Sequence, residues 1–430
     1  MPSISYTYEQ AANQIATSGW ENAWQAPVTY AFRYSSSSSG FTRFTSAQIA
    51  AAEEALKLWS DVALIKFSRV NSNCATILFS GETSEDGYAW AYFPGSRTAA
   101  SVAGDVFINP SNGWFKSPVK GSYDFMAIIH EIGHAIGLDH PGNYDGGDPA
   151  YAKDALYVQD SLQYTVMSYF AASSTGASHG YTYAATPLLH DIAAAQKMYG
   201  VNWSTRAANT TYGFNANADR AEFHISSASQ KVVFAIWDGG GNDTLDFSGY
   251  AQSAHIDLNQ TAFSSVGGLK KNVAIAKGAI IENAIGGSGN DFLGGSIYDN
   301  KIQGGAGNDL INGRGGRDVL CGGSGADTFV FDKTIGKGPA SLPDFNPAAE
   351  SIQLDNAIFK GLGVTTGWLK AACFYAGAKA HDSNDHIIYN RATGELFYDA
   401  DGTGSAAQIK FAMLTAVNKP ALSAADFLVI

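Results

Sequence analysis

Three histidines and a glutamate lie close together in the chain, at spacings that suit a catalytic metal centre: His130, Glu131, His134 and His140. Histidines four residues apart share one face of a helix, so both imidazoles can reach one ion. Gly137 can end that helix, because glycine adopts positive φ at little cost, and the next turn can return His140 as a third ligand. Three protein ligands leave one zinc position open, as in catalytic sites, and Glu131 is placed to act as general base on a zinc-activated water.

Two other interpretations of this motif are weaker. Three structural histidines and a glutamate could share a core, but burying them together is costly unless they bind a cation. A glutamate further along the chain could replace the third histidine as a ligand, but no glutamate occurs between Glu131 and Glu222. The sequence therefore favours His140 as the third ligand.

The composition indicates a globular protein with two or more domains. The chain has 430 residues, of which 45% are hydrophobic and 15% charged, and this excludes a disordered chain. The net charge of -12 argues against nucleic acid and anionic membranes as partners. No apolar run reaches the roughly 20 residues that span a bilayer. The N-terminus shows no basic segment followed by an apolar stretch, so no Sec-type signal peptide is expected.

Cysteine is scarce and odd in number, which gives no disulfide framework. We expect Cys74, Cys321 and Cys373 to be buried free thiols.

The elements around the metal motif form a mixed α+β pattern over residues 1–203. The apolar periodicity and the Thr45–Gln48 capping box predict four helices: over 4–18, after Thr45, over 122–136, and over 186–199 with Pro187 at its first position and Gly200 at its end. Short apolar runs predict strands over 28–33, 63–68, 76–79, 89–93 and 105–108.

Residues 204–430 have a different composition, which is rich in glycine, aspartate and asparagine. Residues 286–330 form five consecutive nine-residue units with the pattern GGxGxDxUx, where U is apolar, and an outlying copy begins at Asp238. Turn carbonyls and aspartate are oxygen ligands that suit calcium, and stacked units of this kind form a parallel β-roll. A flexible glycine-rich linker would not keep its apolar residues in phase. We therefore predict an all-β calcium-binding roll after the catalytic domain.

The segment 166–169 reads Val-Met-Ser-Tyr. Together with the motif from His130 to Pro141, it is similar to the metzincins. With the nine-residue repeats and the acidic and apolar end Asp426–Ile430, nearly the whole chain resembles the serralysins, metzincin zinc proteases with C-terminal RTX calcium-binding repeats. The resemblance implies an α+β metzincin catalytic domain, 1–203, followed by an all-β parallel β-roll (RTX) domain, 204–430.

The resemblance also implies roles for site residues. One catalytic zinc would be bound by His130, His134 and His140, with Glu131 as the base. Met167 would form an apolar floor under the zinc, and Tyr169 would be an outer zinc ligand that can hydrogen-bond the tetrahedral oxyanion. His179 and His190 match no ligand spacing and are interpreted as structural.

Several structural calcium ions are implied as well, and the family pattern maps onto residues of the roll. The first group is Arg206, Ala208, Thr210, Asp238, Gly240, Gly241 and Asp243. The second group is Glu282, Gly287, Gly289 and Asp291, and the remaining turns would use Tyr298, Asn300, Gly304, Ala306, Asp309, Gly313, Gly315, Asp318, Gly322, Ser324 and Asp327. Tyr298, Asn300 and Arg314 depart from the repeat template, so sites near them are expected to be weaker or differently coordinated.

The function implied is that of a secreted zinc metalloendopeptidase whose roll folds with calcium after type I export, read from the C-terminus. Protein or peptide substrates, the type I secretion apparatus and a proteinaceous inhibitor are the partners this implies, for a monomer without nucleic-acid binding or membrane insertion. A peptide would dock along an edge strand near 89–93. The alternative is a calcium-dependent surface- or matrix-binding RTX protein whose metzincin domain is inactive.

Overall fold

The chain divides into two compact units. The computed structural model describes residues 2–16, 23–25, 27–84, 87–95, 102–336 and 338–430. Unit 1 comprises Met1–Ala207, Lys231–Gly240 and Leu269–Ala279, and unit 2 comprises Ala208–Gln230, Gly241–Gly268 and Ile280–Ile430. The sequence analysis predicts a division at residue 203, and in this grouping residues 231–240 and 269–279 belong to unit 1.

The α-helices, numbered along the chain, are α1 (Tyr8–Ile15), α2 (Ser46–Val62), α3 (Tyr123–Ala135), α4 (Tyr151–Asp154) and α5 (Leu189–Tyr199). Short 3-10 helices span Ser111–Gly113, Ala172–Thr175, Ala221–Phe223, Lys360–Leu362, Ala371–Cys373 and Ala424–Asp426. In the described part of the chain, no helix combines the length and the apolar character needed to cross a membrane.

The strands are β1 (Val28–Phe32), β2 (Phe41–Thr42), β3 (Phe67–Arg69), β4 (Ile77–Glu82), β5 (Ala89–Ala91), β6 (Val106–Ile108), β7 (Thr211–Gly213), β8 (Phe234–Ile236), β9 (Thr244–Asp246), β10 (His255–Asp257), β11 (Phe263–Ser264), β12 (Val273–Ile275) and β13 (Asn283–Ile285). They continue with β14 (Phe292–Gly294), β15 (Lys301–Ala306), β16 (Leu310–Asn312), β17 (Val319–Ser324), β18 (Thr328–Phe331), β19 (Ala340–Leu342), β20 (Ser351–Leu354), β21 (Gly367–Trp368), β22 (Phe374–Ala376), β23 (Ile387–Asn390), β24 (Glu395–Tyr398), β25 (Ile409–Leu414) and β26 (Phe427–Val429).

Unit 1 is a mixed sheet with helices packed on it, as the α+β prediction requires. The strand order is β3-β1-β4-β6-β5, with β2 also paired to β4. The pairs β1–β3, β1–β4 and β4–β6 are parallel, whereas β5 runs antiparallel to β6 and is the last strand of this sheet among the described residues. Helix α3, which carries the metal motif, packs against α2 and β5. The free edge of β5 therefore lies beside the motif.

The predicted helices are present, with two differences at their N-termini. Helix α2 starts as expected, because the Thr45 hydroxyl accepts the Gln48 N–H and the Gln48 side chain returns to Thr45 N. Helix α1 starts at Tyr8 rather than residue 4, after a second capping box at Thr7. Helix α5 starts at Leu189, so the assignment of Pro187 to its first position is wrong: the carboxylate of Asp191 accepts the Leu188 N–H at 2.8 Å and sets the start.

Unit 2 contains the predicted parallel β-roll. Successive strands alternate between two sheets, so β13, β15 and β17 pair in one sheet and β14, β16 and β18 in the other. The paired residues Asn283, Lys301 and Val319 are 18 positions apart in sequence, because two nine-residue units make one turn of the roll. The apolar residue of each unit is fully buried, as for Leu293, Ile302, Ile311, Leu320 and Phe329.

The three cysteines are free thiols, as expected, but they are not all buried. Cys74 is exposed, and Cys321 and Cys373 are half-buried. The expectation of burial is wrong for Cys74 because it lies in a polar loop between β3 and β4 and not in the core.

Candidate active site

Helix α3 ends in a turn that positions the third histidine. Gly137 has φ +105°, a conformation that favours glycine. The Gly137 N–H donates to the His134 carbonyl at 2.8 Å and the Leu138 N–H to the Gly133 carbonyl at 2.9 Å. This is a Schellman motif, and it turns the chain back so that His140 faces the helix.

The three imidazoles converge on one point. The Nε2 atom of His140 lies 3.0 Å from that of His134 and 3.3 Å from that of His130. The Nδ1–H groups of His130 and His134 each donate to a backbone carbonyl at 2.7 Å, that of Val166 and that of Leu138. These bonds fix the tautomer that leaves Nε2 free to ligate.

The histidines are also in the neutral form that metal binding requires. Burial lowers the pKa of His130 to about 3, and it lowers the pKa of His134 and of His140. Three converging neutral nitrogens with orienting carbonyls fit tetrahedral zinc with one open position.

Glu131 is buried beside this cluster, and its Oε2 atom has no hydrogen-bond partner among the described residues. Burial, followed by the charge of Asp145, raises the pKa of Glu131 to about 8. A dication at the histidines would favour the carboxylate and lower that pKa again. An orphan carboxylate atom next to an open metal position is what a general base needs.

Met167 packs directly under α3. It is fully buried, and a Cβ on Gly133 would lie 2.6 Å from its Sδ, so a larger residue at 133 would require the Met167 side chain to shift. Asp191 holds the same turn, because its Oδ2 accepts the Val166 N–H at 2.8 Å. This bond holds the Val166 carbonyl in the position where it accepts the Nδ1–H of His130.

Tyr169 is at the mouth of the site. Its ring centroid is 4.6 Å from that of His140 and 6.0 Å from that of His130, and its hydroxyl accepts the Gly146 N–H at 3.4 Å. The side chain is 39% exposed, so it has room to reorient. Burial raises the pKa of Tyr169, which keeps the hydroxyl protonated as a donor.

The metal motif opens into a cleft bordered by the edge strand. Its cavity of about 120 Å³ is lined by β5, the three histidines, Glu131, Asp139, Asp145 and Tyr169. A neighbouring cavity of about 500 Å³ shares Tyr169 and is lined by aromatic and apolar side chains, such as Tyr123 and Met126, together with polar ones, among them Ser178 and His179. The site can thus hold an extended chain with a side-chain pocket beside the metal position.

His179 and His190 lie outside the histidine cluster. His179 Nε2 donates to the Lys271 carbonyl at 3.1 Å, and His190 stacks on Tyr164 with centroids 5.1 Å apart. Both contacts agree with the structural interpretation.

Besides Asp191, the residues Tyr144, Asp145 and Asp160 of the site were not found from the sequence. Tyr144 stacks on His140 at 5.4 Å, and Asp160 accepts the Tyr144 hydroxyl at 2.8 Å. Each belongs to an irregular segment without periodicity. The only sequence feature that pointed to them was their position between the motif from His130 to Pro141 and the segment 166–169.

In unit 2, buried carboxylates form a ladder on one edge of the roll, here called the first edge and made of loops 286–291, 304–309 and 322–327. Asp291 donates its N–H to Asp309, and Asp309 donates its own to Asp327, at 2.8 and 2.9 Å. The Oδ2 atoms of Asp309 and Asp327 have no hydrogen-bond partner among the described residues. Burial, with the charges of Asp291 and Asp327, raises the pKa of Asp309 to about 7.

Carbonyls complete this first edge. A Cβ on Gly305 would lie 2.3 Å from the Gly287 carbonyl oxygen, and one on Gly307 would lie 2.2 Å from that of Gly289. Only glycine permits so close a stacking of turns. Predicted ligand residues of this edge are thus brought together: Gly287, Gly289, Asp291, Gly304, Ala306, Asp309, Gly322, Ser324 and Asp327. Stacked carboxylates and carbonyls that form no ion pair with a described residue fit calcium.

The second edge, made of loops 295–300 and 313–318, differs in chemistry. The Asn300 amide donates to the Glu282 carbonyl at 3.0 Å, and the Arg314 guanidinium donates to the Gly295 carbonyl at 2.7 Å. Arg314 also forms a bidentate pair with Asp257 at 2.7 and 2.9 Å. The Asn300 amide and the Arg314 guanidinium thus donate to carbonyls that would otherwise be available to a cation. The other predicted ligands of this edge are Tyr298, Gly313, Gly315 and Asp318.

The first group of predicted calcium ligands is divided between the units. Arg206, Asp238 and Gly240 belong to unit 1, where Asp238 accepts the Gly240 N–H at 2.8 Å. Ala208, Thr210, Gly241 and Asp243 belong to unit 2, as does Glu282 of the second group. There Asp243 accepts the Thr210 N–H at 2.7 Å and Glu282 accepts the Asp243 N–H at 2.8 Å.

Comparison with known proteins places both units among proteases. The family model "Matrixin" matches residues 20–146, and the model "Peptidase M10 serralysin C terminal" matches residues 201–362. The chain is 42% identical to metalloprotease AprA of Pseudomonas entomophila, with 94% of this chain and 87% of that protein covered. It is 41% identical to serralysin G of Dickeya chrysanthemi, covering 85% and 83%, and 42% identical to serralysin C of the same organism, covering 67% and 64%.

Proposed function

Because this chain belongs to the serralysin family of metalloproteases, we propose that it is a zinc endopeptidase in which Glu131 is the general base and His130, His134 and His140 hold the metal. The observation that carries this proposal is the convergence of the three imidazoles, in which the Nε2 atoms of His130 and His134 both lie within 3.3 Å of His140 Nε2. The unpartnered Oε2 of Glu131 lies in the same cleft.

When bound, zinc supplies Lewis acidity, which polarises a carbonyl and acidifies water. Glu131 accepts the proton of the attacking water and then delivers it to the leaving amine, which balances the hydrolysis. The peptide is held extended along the open edge of β5, by strand addition. The Tyr169 hydroxyl donates to the oxygen that becomes negative as the carbonyl carbon turns tetrahedral.

Substituting Tyr169 with phenylalanine is expected to lower kcat about 10- to 100-fold with little change in KM, because the lost hydrogen bond forms only in the transition state. Steady-state kinetics on a fluorogenic peptide measure both constants. Zinc content, determined in parallel, should stay near one per chain. A rise in KM with unchanged kcat would assign Tyr169 to substrate binding instead.

Casein zymography of the full chain tests the proposed activity. A clear band is expected in zinc buffer, with no band after a zinc chelator and recovery on adding zinc back. A chain that binds zinc and casein yet never clears the gel would favour the alternative, a matrix-binding protein with an inert protease domain.

For unit 2 we propose that calcium occupies the carboxylate ladder and stabilises the roll once the protein is outside the cell. Extracellular calcium sites bind with dissociation constants of roughly 10⁻⁴–10⁻³ M, far above cytosolic calcium. The roll would therefore remain unfolded inside the cell and fold after type I export, because a ligand of the folded state stabilises only that state. We also propose, on the family resemblance alone, that a proteinaceous inhibitor binds this chain.

The calcium-free roll should be more stable in mild acid than at neutral pH. Burial raises the pKa of Asp309, Asp318 and Glu350 to about 7, so between pH about 4 and 7 the folded state binds protons that the unfolded state releases. Stability then falls as the pH rises through this window. Urea unfolding of the full chain in a calcium chelator, followed at pH 5 and pH 7.5, checks this. A higher midpoint at pH 7.5 would contradict it.

A further inference from the structure

A buried carboxylate joins two parts of the active site that are distant in sequence. Asp160 is fully buried, and its Oδ1 accepts the Tyr144 hydroxyl at 2.8 Å and the Ser168 hydroxyl at 2.6 Å. Its Oδ2 has no hydrogen-bond partner among the described residues. Burying a carboxylate without a cationic partner is costly, so this arrangement calls for an explanation beyond packing.

The first hydroxyl belongs to a ring that touches the third zinc ligand. Tyr144 stacks on the His140 imidazole, with centroids 5.4 Å apart and planes 24° from parallel. The same ring is 5.1 Å from that of Tyr169. Fixing the Tyr144 hydroxyl therefore fixes a surface against which both His140 and Tyr169 rest.

The second hydroxyl belongs to the residue between Met167 and Tyr169. Ser168 donates to Asp160 and also accepts the Phe170 N–H at 3.1 Å. This pair of bonds sets the backbone of the turn from which the Tyr169 side chain extends. Asp160 thus restrains Tyr169 in two ways. Through Ser168 it fixes the backbone next to Tyr169, and through Tyr144 it fixes a ring that lies against the Tyr169 ring.

We propose that Asp160 is a positioning residue for hydrolysis, which holds Tyr144 and Ser168 so that the Tyr169 hydroxyl and the His140 imidazole keep their places relative to the scissile carbonyl. The proposal rests on the proposed endopeptidase function. It assigns no proton transfer to Asp160 and requires only that the two hydroxyl hydrogen bonds persist.

A double-mutant cycle distinguishes positioning from mere support of the fold. Ser168→Ala is expected to lower kcat about tenfold with less than about a twofold change in KM. In a Tyr169→Phe background the same substitution should lower kcat less than about twofold, because the group being positioned is gone. Equal losses in both backgrounds would overturn the proposal.

Zinc affinity provides a second readout that does not depend on turnover. Tyr144→Phe keeps the ring but loses the bond to Asp160, and it should weaken zinc binding about tenfold in a chelator competition, as loss of an outer-shell contact does. Tyr151→Phe is the matched control: its hydroxyl donates to the Val158 carbonyl at 2.7 Å and its ring contacts Phe170. If both variants bind zinc like the wild type, or both weaken equally, Asp160 has no positioning role.

These outcomes are separable from failure of the proposed function. A wild-type chain without peptidase activity would refute the function directly, whereas an active wild type with an additive cycle would refute only the role of Asp160. Asp160→Asn, whose amide oxygen can still accept both hydroxyls in the Oδ1 position but without the negative charge, should lie between wild type and Ser168→Ala in kcat. A loss larger than that of the Ser168→Ala, Tyr144→Phe double variant would point to a folding defect and count against positioning.

Discussion

Replacing Glu131 with glutamine is expected to lower kcat for peptide hydrolysis about 10³- to 10⁴-fold while zinc stays bound. The amide has the shape of the carboxylate but cannot accept the proton of the attacking water. The metal ligands should be unaffected, because His130 and His134 are oriented by their own bonds to the Val166 and Leu138 carbonyls. The loss should therefore be confined to the chemical step.

Three measurements on the same preparation decide the role of Glu131. Peptide turnover gives kcat, metal analysis gives the zinc content, and near-ultraviolet circular dichroism reports the packing of unit 1. His134→Ala is the contrasting variant, and it should lose zinc and activity together. Glu131→Gln with wild-type turnover would remove the residue from the mechanism, and loss of zinc in that variant would make it a ligand.

The metal motif could be predicted from sequence because its geometry is local. Helical periodicity places His130 and His134 on one face, and Gly137 must turn the chain within three residues, so the path to His140 has little freedom. Met167 and Tyr169 are 33 and 35 positions beyond His134 by their numbers. No local rule brings them under the helix, and only the family resemblance placed them.

Asp160 and Asp191 show what local reasoning cannot reach. Each is an isolated aspartate in the sequence, and surface aspartates are the common case. Their function depends on burial and on hydroxyl or N–H groups from other segments, such as Tyr144 for Asp160 and Val166 for Asp191. Such partners become visible only when the chain is folded.

The roll was predictable for the opposite reason, since its long-range register is a consequence of a short repeat. Nine residues give half a turn, so strands 18 residues apart must pair, as Asn283, Lys301 and Val319 do. The structural effects of residues that depart from the repeat template were harder to predict from the sequence. Arg314 occupies a glycine position at φ +64°, and its pair with Asp257 depends on a residue 57 positions earlier.

The two edges of the roll should therefore differ in their need for calcium. On the first edge, Asp291, Asp309 and Asp327 stack, and the Oδ2 atoms of Asp309 and Asp327 have no hydrogen-bond partner in the part of the chain that the structure describes. On the second edge, the Asn300 amide and the Arg314 guanidinium already satisfy carbonyls. Calcium should thus contribute most of its stabilisation through the first edge.

Removing calcium from the full chain is expected to lower the unfolding temperature of unit 2 by about 10–20 °C. A ligand at 100 times its dissociation constant contributes about 2.7 kcal/mol per site, and about 1 kcal/mol corresponds to 2–4 °C in a unit of this size. Two or more occupied sites on the first edge account for the expected shift. Calorimetry with excess calcium and with a calcium chelator measures it, with zinc held constant to keep unit 1 loaded.

Asp309→Asn locates the effect on the first edge. Asp309 lies between Asp291 and Asp327, so its charge serves the sites above and below it, and the calcium midpoint for regain of β-sheet circular dichroism should rise about tenfold or more. The amide can still accept the Asp291 N–H, so the backbone ladder is preserved. Asp299→Asn is the matched control, because it removes the same charge from an exposed position on the second edge that accepts the Arg317 N–H. Equal midpoints for the two variants would mean that the ladder of buried carboxylates is not where calcium acts.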